Sequence, residues 1–512
     1  MSLLAIALRL NVIHYSLWLD EAWVADSILS PTWRGMFYYD RWVQTTPPLF
    51  LALVRAASSL GVSEVSLRAV PLICGLLSLL VMAVALRRLF SPSLALLGAT
   101  FLAGSYYAAK YSQEVKQYSA DLLVSCLFLF LIWIWLESES SNRIYWALAT
   151  LGTLGIFLSY VTLFWYPLVL LVAVHKLRRR PLRLMLLTAL YAGATAAVLV
   201  LFVYPNRAPN LLHQWQNAFW GQGGVLLSSE LFLQNLSQLW IPHQQQWWLI
   251  VPAYVFGILC GLGWLRSVVQ FRQGEKRARY MLCLSIPIAA ALCASALGQY
   301  PVLEYPRFIL WMLPICIALA VYGFELIWAR ISQRIPGVLL PIACVLYLMA
   351  NVTFLRKNPP SPEQVREAAI FLNAHVAPQD AVFVSGADWQ QFSFYSQLLR
   401  WSPTNLYVAN TWWPCCSRNK ALVVSDPLPN SLQQDLHSFV LRSGSGTAWL
   451  LFPTGNDPAF WTYSLRNEIQ AIPQLMRGES CRPLRQAEFR NARVYAFACE
   501  KIKTATRFKN LY

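Results

Sequence analysis

Charge is what this chain has least of. Only 13% of its 512 residues are Asp, Glu, Lys or Arg, while 57% are hydrophobic; a soluble domain carries about 25% charge. Carboxylates number 24 and histidines six. No Cys/His spacing of the zinc-site kind occurs, and there is no Gly-rich phosphate fingerprint. The small-residue cleavage site of a secretory leader is also missing, so Met1–Leu19 reads as a retained first span. The formal charge of +17 comes mostly from short basic loops. It is therefore not the footprint of a nucleic-acid binder.

Apolar runs fill the chain instead. Eleven candidate spans cover Met1–Leu19, Val65–Leu86, Leu94–Tyr111, Tyr118–Leu136, Tyr145–Tyr160, Val161–His175, Leu184–Tyr204, Trp247–Leu265, Met281–Leu297, Phe308–Ala329 and Gly337–Phe354. With a cytoplasmic N-terminus, the inner loops hold fifteen Lys and Arg. Two turns supply most of them: Lys176, Arg178, Arg179, Arg180 and Arg183 in one, and Arg266, Arg272, Lys276, Arg277 and Arg279 in the other. The longer outer segments before the C-terminal region hold eight. The positive-inside bias thus predicts a polytopic α-helical protein of the cell membrane with its C-terminal domain outside the cytoplasm.

Two outer segments are long. Pro31–Trp42 mixes aromatics and charges at helical spacing, which predicts a helix in the headgroup layer. Pro47 and Pro48 end it and start a second short helix over Leu49–Leu60. The second outer segment, Pro205–Gln246, carries Trp215, Phe219, Trp220, Trp240 and His243. Its aromatics read either as an interface belt or as the wall of a lipid-tail groove.

The composition changes after Phe354, so the chain divides into a membrane module, 1–354, and an outer domain, 355–512. In the outer domain, 362–377, 392–399 and 432–442 have helical patterns, while 381–385, 421–424 and 448–452 look like buried strands. That alternation predicts a small α/β domain with a parallel sheet. Seven of the eleven cysteines lie in or beside apolar spans. The other four are Cys415, Cys416, Cys481 and Cys499. A bridge between adjacent residues is strained, so Cys415 and Cys416 are expected to pair with Cys481 or Cys499.

Three charged motifs stand out at outer loop ends: Leu19-Asp20-Glu21-Ala22, Tyr111-Ser112-Gln113-Glu114-Val115-Lys116-Gln117-Tyr118, and Glu304-Tyr305-Pro306-Arg307-Phe308. Lipid does not tolerate paired carboxylates, so Asp20 and Glu21 belong where the first span leaves the membrane. A carboxylate there is a candidate general base for a hydroxyl substrate. All three motifs share one sidedness, which argues for a common outer site lined by Asp20, Glu114 and Arg307.

These motifs, with Thr46-Pro47-Pro48-Leu49 and Ser66-Leu67-Arg68-Ala69-Val70-Pro71, resemble the GT-C superfamily of lipid-linked membrane glycosyltransferases. The resemblance is to its family-39-like group, the protein O-mannosyltransferases and the lipid A aminoarabinose transferases. It covers roughly the first 330 residues. The family often has Arg where Lys116 stands and Tyr where Phe308 stands. The resemblance implies a polyprenyl-phosphate-sugar donor, a hydroxyl acceptor on a glycan, lipid or protein, and inverting transfer with Asp20 as base beside Glu21. It implies Arg307 and Lys116 as phosphate contacts, and Glu114, Gln113, Tyr118, Tyr305 and Arg41 as further substrate contacts. No cofactor or metal is expected, although paired carboxylates can hold Mg²⁺ or Mn²⁺ as in some superfamily members. The alternative is a lipid-linked sugar flippase without transferase activity, which would tolerate loss of Asp20. A non-catalytic scaffold would not need three convergent charged motifs.

Overall fold

The computed structural model describes residues 2–11, 13–43, 45–138, 142–206, 216–221, 223–239, 247–303, 305–331, 339–357, 364–386, 388–409, 432–443, 446–453 and 471–499. In chain order the first helices are α1 (Ser2–Leu10), α2 (Leu19–Ile28), α3 (Trp33–Phe37), α4 (Pro48–Ala57), α5 (Glu64–Leu89), α6 (Pro92–Gly104) and α7 (Tyr106–Tyr111). There follow α8 (Tyr118–Glu137), α9 (Asn142–Leu158), α10 (Thr162–Leu177), α11 (Pro181–Val198), α12 (Val225–Gln238) and α13 (Trp247–Arg272). Next come α14 (Lys276–Cys283), α15 (Ser285–Ala296), α16 (Pro306–Ile309), α17 (Leu313–Ile331) and α18 (Leu339–Lys357). The remainder is α19 (Val365–His375), β1 (Ala381–Val384), α20 (Trp389–Leu398), β2 (Asn405–Val408), α21 (Leu432–Ser443), β3 (Gly446–Pro453), α22 (Ile472–Gly478), β4 (Cys481–Phe489) and β5 (Ala492–Cys499).

The chain forms two compact units: 1–13 with 45–360, and 14–44 with 361–512. The second unit therefore takes in an N-terminal stretch, 14–44, that the sequence division at 354 assigns to the membrane module.

In the first unit, six helices among the described residues are long and apolar enough to cross a membrane: Glu64–Leu89, Tyr118–Glu137, Pro181–Asn206, Tyr254–Arg272, Lys276–Ala296 and Pro306–Arg330. The other apolar segments are also helical but shorter. The chain is a multi-pass membrane protein.

The expected first span is corrected. Its helix stops at Leu10 and the chain turns before α2 begins at Leu19. Buried Arg9 explains the break. Its guanidinium donates to Ala5 O (3.2 Å) in its own helix and to Leu102 O (3.3 Å) and Ala103 O (3.0 Å), satisfying orphan carbonyls at the end of α6. Arg9, a charge inside the expected span, is a cap of α6.

Helices α13 and α17 meet at backbone distance. A Cβ on Gly263 would stand 1.9 Å from Leu319 O, and one on Gly323 would stand 2.2 Å from Leu259 O. Small residues allow this approach, which in lipid supplies the packing that hydrophobicity cannot. At the basic end of the pair, Arg266 and Arg277 bind Glu325 at 2.7 and 2.9 Å. Part of the basic charge of these turns is thus paired.

The second unit contains a five-stranded sheet of order β2-β1-β3-β5-β4. β1 pairs in parallel with β2 and β3, but β5 pairs antiparallel with both β3 and β4. The all-parallel expectation is corrected: a C-terminal hairpin completes the sheet. Its strand β4 is mostly exposed, which hides it from a search for buried apolar runs. Alternate residues of β1 face opposite ways. Ala381 and Phe383 pack with α21 and α22, while Val382 and Val384 pack with α19 and Phe392 of α20.

The disulfide expectation is also corrected. Cys481 and Cys499 bond each other, as directly opposed residues of β4 and β5 with Cα atoms 4.1 Å apart. Cys415, Cys416, the 421–424 strand, Trp215, Trp240 and His243 lie outside the described residues. The headgroup helix expected over Pro31–Trp42 is only the five residues of α3, capped by Thr32 bonding Gly35 N at 2.9 Å.

Candidate active site

In the first unit, α7 and the turn after it carry the second motif. Lys110 Nζ lies 3.7 Å from Glu114 Oε1, and the Glu114 side chain is fully buried. Both Glu114 and Arg307 act electrostatically on the buried Tyr111 hydroxyl. The Tyr111 ring meets Tyr118 at 5.0 Å between centroids, and Tyr118 meets Phe308 at 6.1 Å. The Arg307 guanidinium carbon stands 4.7 Å from the Tyr305 ring centroid and 5.1 Å from that of Phe308. The structure therefore brings Glu114, Tyr118, Tyr305 and Arg307 into one aromatic-lined cluster.

The backbone before Arg307 is pinned from α12 and the loop ahead of it. Ala218 O accepts from Val302 N (2.9 Å) and Leu303 N (3.1 Å), and Asn235 Nδ2 donates to Val302 O at 2.8 Å. Pro306 then opens α16, as its fixed φ favours a first helical turn. Arg307 is only 9% exposed. Its charge thus acts in a medium where electrostatic forces are stronger than in water.

Two further members of the second motif make local hydrogen bonds. Gln113 directs its amide to Leu8 O (2.9 Å) and Ala109 O (3.1 Å), tying α1 to α7. Lys116 is half-buried in the turn and its N–H bonds Glu114 O at 2.7 Å. Lys110, which pairs with Glu114, was not among the residues the sequence singled out. Its spacing of four from Glu114 was the available signal. Glu304 lies outside the described residues.

In the second unit, α2 carries the first motif. Asp20 and Glu21 stand at its second and third positions, where the helix dipole favours carboxylates. Glu21 is buried, and its Oε2 accepts from Trp18 N at 3.3 Å, half of a capping box. Asp20 is half-buried, with Leu19 and Trp23, on the less covered stripe of a helix otherwise buried from Glu21 to Ile28. Arg41 is exposed and donates to Ser393 Oγ at 2.7 Å.

Asp26, on the same helix, also went unnoticed in the sequence. It is 1% exposed. Its Oδ1 accepts from Gln397 Nε2 (3.0 Å) and Ser393 Oγ (3.4 Å) of α20. Burial pushes its carboxyl well above the usual carboxylate range, against the opposing pull of Arg41 and the two hydrogen bonds. Among the described residues, no group of three or more His, Cys, Asp and Glu side chains is placed to hold a metal ion.

Residues 45–205 match the family described as dolichyl-phosphate-mannose-protein mannosyltransferase. No curated protein matches the sequence significantly. The fold is similar to the crystal structure of ArnT from Cupriavidus metallidurans bound to undecaprenyl phosphate, at 15% identity and TM-score 0.52, over 96% of each chain. The apo structure of the same protein gives 15% identity and TM-score 0.51, covering 96% of this chain and 97% of that one. An oligosaccharyltransferase from Archaeoglobus fulgidus, in complex with zinc and sulfate, is 11% identical with TM-score 0.53, over 88% of this chain and 67% of its own. The chain thus shares the fold of these membrane glycosyltransferases, and its residues 45–205 carry the match to the mannosyltransferase family.

Proposed function

We propose that this protein moves a hexose or pentose from a polyprenyl-phosphate-linked donor to an acceptor hydroxyl at the outer face of the membrane. Its N-terminus is cytoplasmic and its C-terminal domain extracytoplasmic. Asp20 takes the acceptor proton as the acceptor oxygen bonds the anomeric carbon. The bond from that carbon to the phosphate breaks in the same step, and polyprenyl phosphate leaves with the electron pair. One such displacement inverts the anomeric centre, by analogy with single-step glycosidase chemistry. Charge grows on the departing phosphate, so preorganised cations lower the barrier. Arg307 is the principal clamp, with Lys116 as a second cation acting as a point charge. Tyr118 and Tyr305 line the donor's path, Glu114 orients cations or sugar hydroxyls, and Glu21 steadies the helix that presents Asp20.

The observation that carries this reading is the buried cluster of Glu114, Tyr111 and Arg307 in a chain with the GT-C fold. The fold neighbour seen with undecaprenyl phosphate supports the same class of donor. The test is direct. The purified protein is incubated with a panel of polyprenyl-phosphate sugars and candidate acceptors, and cleavage of the sugar–phosphate bond is followed by mass spectrometry. Stoichiometric release of polyprenyl phosphate with glycosylated acceptor is expected. Movement of intact donor between leaflets with no cleavage would instead establish a flippase.

A further inference from the structure

The second unit contains a feature that the proposed chemistry does not use: the C-terminal domain grips the chain on both sides of Asp20 and Glu21. Ahead of the motif, Arg366 at the start of α19 donates its N–H to Ser16 Oγ (3.2 Å) and its Nη1 to His14 O (3.2 Å). Tyr395 of α20 is fully buried, and its hydroxyl accepts from buried Leu17 N at 2.6 Å. Beyond the motif, Gln397 and Ser393 of α20 bond Asp26 Oδ1. The Ser393 hydroxyl also accepts from Arg41 Nη1 at 2.7 Å, so one side chain joins α2 to the 38–43 loop.

These bonds have a common consequence. Leu17, Asp26, Ser393 and Tyr395 are all at most 1% exposed. A buried polar group that loses its partner costs the full desolvation penalty, so such bonds specify one geometry. The grips at Leu17 and Asp26 lie three residues before Asp20 and six after it. Together they fix the start of α2 and its rotation about its own axis. The stripe left half-buried is the one that carries Asp20 and Trp23. A helix of ten residues is too short to hold such an orientation by itself.

We infer that α20 of the C-terminal domain is the platform that orients the Asp20–Glu21 helix, with Tyr395 and Asp26 as positioning residues for the general base. The mechanistic part rests on the transferase reading above; the platform itself does not. A base must reach its proton within hydrogen-bond distance, and a misplacement of about 1 Å can cost 10²-fold. The C-terminal domain thereby belongs to the catalytic apparatus, although it need not touch substrate.

The test uses the full-length protein and two readouts. Hydrogen exchange compares backbone amides of 17–28 with those of β1 and β3, in wild type, Tyr395→Phe, Asp26→Leu and Asp26→Asn. Tyr395→Phe is expected to raise exchange at Leu17 and the first turn of α2 by about 2–10-fold, the worth of one hydrogen bond, with the sheet unchanged. Asp26→Leu is expected to do the same at the helix end. Asp26→Asn keeps an acceptor oxygen and should recover most of the protection.

In transfer assays the Tyr395→Phe and Asp26→Leu proteins should lose kcat by about 10–100-fold while donor KM stays near wild type, again with recovery in Asp26→Asn. Unchanged exchange over 17–28 would overturn the platform. So would α2 and the sheet loosening together in Tyr395→Phe, or KM rising in place of the fall in kcat. Faster α2 exchange in a protein whose wild type transfers no sugar would confirm the platform and overturn the transferase reading instead.

Discussion

The Arg307 guanidinium lies against the ring of Tyr305, two residues before it, at 4.7 Å. A guanidinium is planar and carries its N–H donors in a fixed fork. That fork can bond two phosphate oxygens in one plane, and ammonium cannot. Arg307→Ala is expected to weaken binding of a polyprenyl-phosphate analogue by about 1.5–3 kcal/mol, the usual worth of a charge-assisted hydrogen bond. Arg307→Lys should recover only part of it. Binding and thermal stability are measured on the same preparations. A fall in stability with unchanged affinity per folded molecule would make Arg307 an interface anchor.

Asp20→Asn is expected to preserve folding and donor binding but to reduce turnover by about 10²–10⁴-fold, the usual contribution of a general base. Asn keeps the size and polarity of the side chain at the helix N-terminus, so stability should change little. Turnover near wild type would move the base elsewhere.

Asp26 supplies a pH prediction. Desolvation raises its folded-state pKa above that of the unfolded chain, where an Asp carboxyl titrates near ~3.9. The folded state therefore binds the proton more tightly. Its stabilising contribution is full below the unfolded value and is lost as pH rises through the folded one. Tyr39 and Arg41 are the titratable neighbours that act on it electrostatically. Asp26→Asn removes the titration. Relative to wild type, the variant should gain melting temperature from pH 4 upward, and a pH-independent difference would count against the buried-proton assignment.

The contact of α13 with α17 predicts a steric effect. Gly263→Ala places a methyl group 1.9 Å from Leu319 O, a backbone atom that cannot swing aside. Overpacking of this kind costs about 1–3 kcal/mol. Gly323→Ala should cost a similar amount. The double variant should cost less than the sum, because one separation of the helices relieves both clashes. Additive losses in detergent melting would show that the two sites act independently.

Much of the membrane unit was legible because it is written in local terms. Length and apolarity mark helices such as Tyr118–Glu137 and Pro306–Arg330 without reference to anything else. The sequence also expected Asp20, Glu114 and Arg307 at loop ends; of these, Glu114 and Arg307 both act electrostatically on Tyr111.

What the sequence by itself determined is this pattern of apolar helices, charged loop ends and a C-terminal α/β domain, since lipid sorts residues by polarity one segment at a time. Only the tertiary structure decided the rest. It ended the first helix at Leu10, where Arg9 finds carbonyls of α6 that are 93 and 94 residues away in sequence. It paired Cys481 with Cys499 through strand register rather than through cysteine spacing. It joined Asp26 to Ser393 and Gln397, and Leu17 to Tyr395, across some 370 residues of chain. Hydrogen bonds between distant segments leave no periodicity in the sequence, because each partner's identity depends on a backbone that only the completed fold brings near.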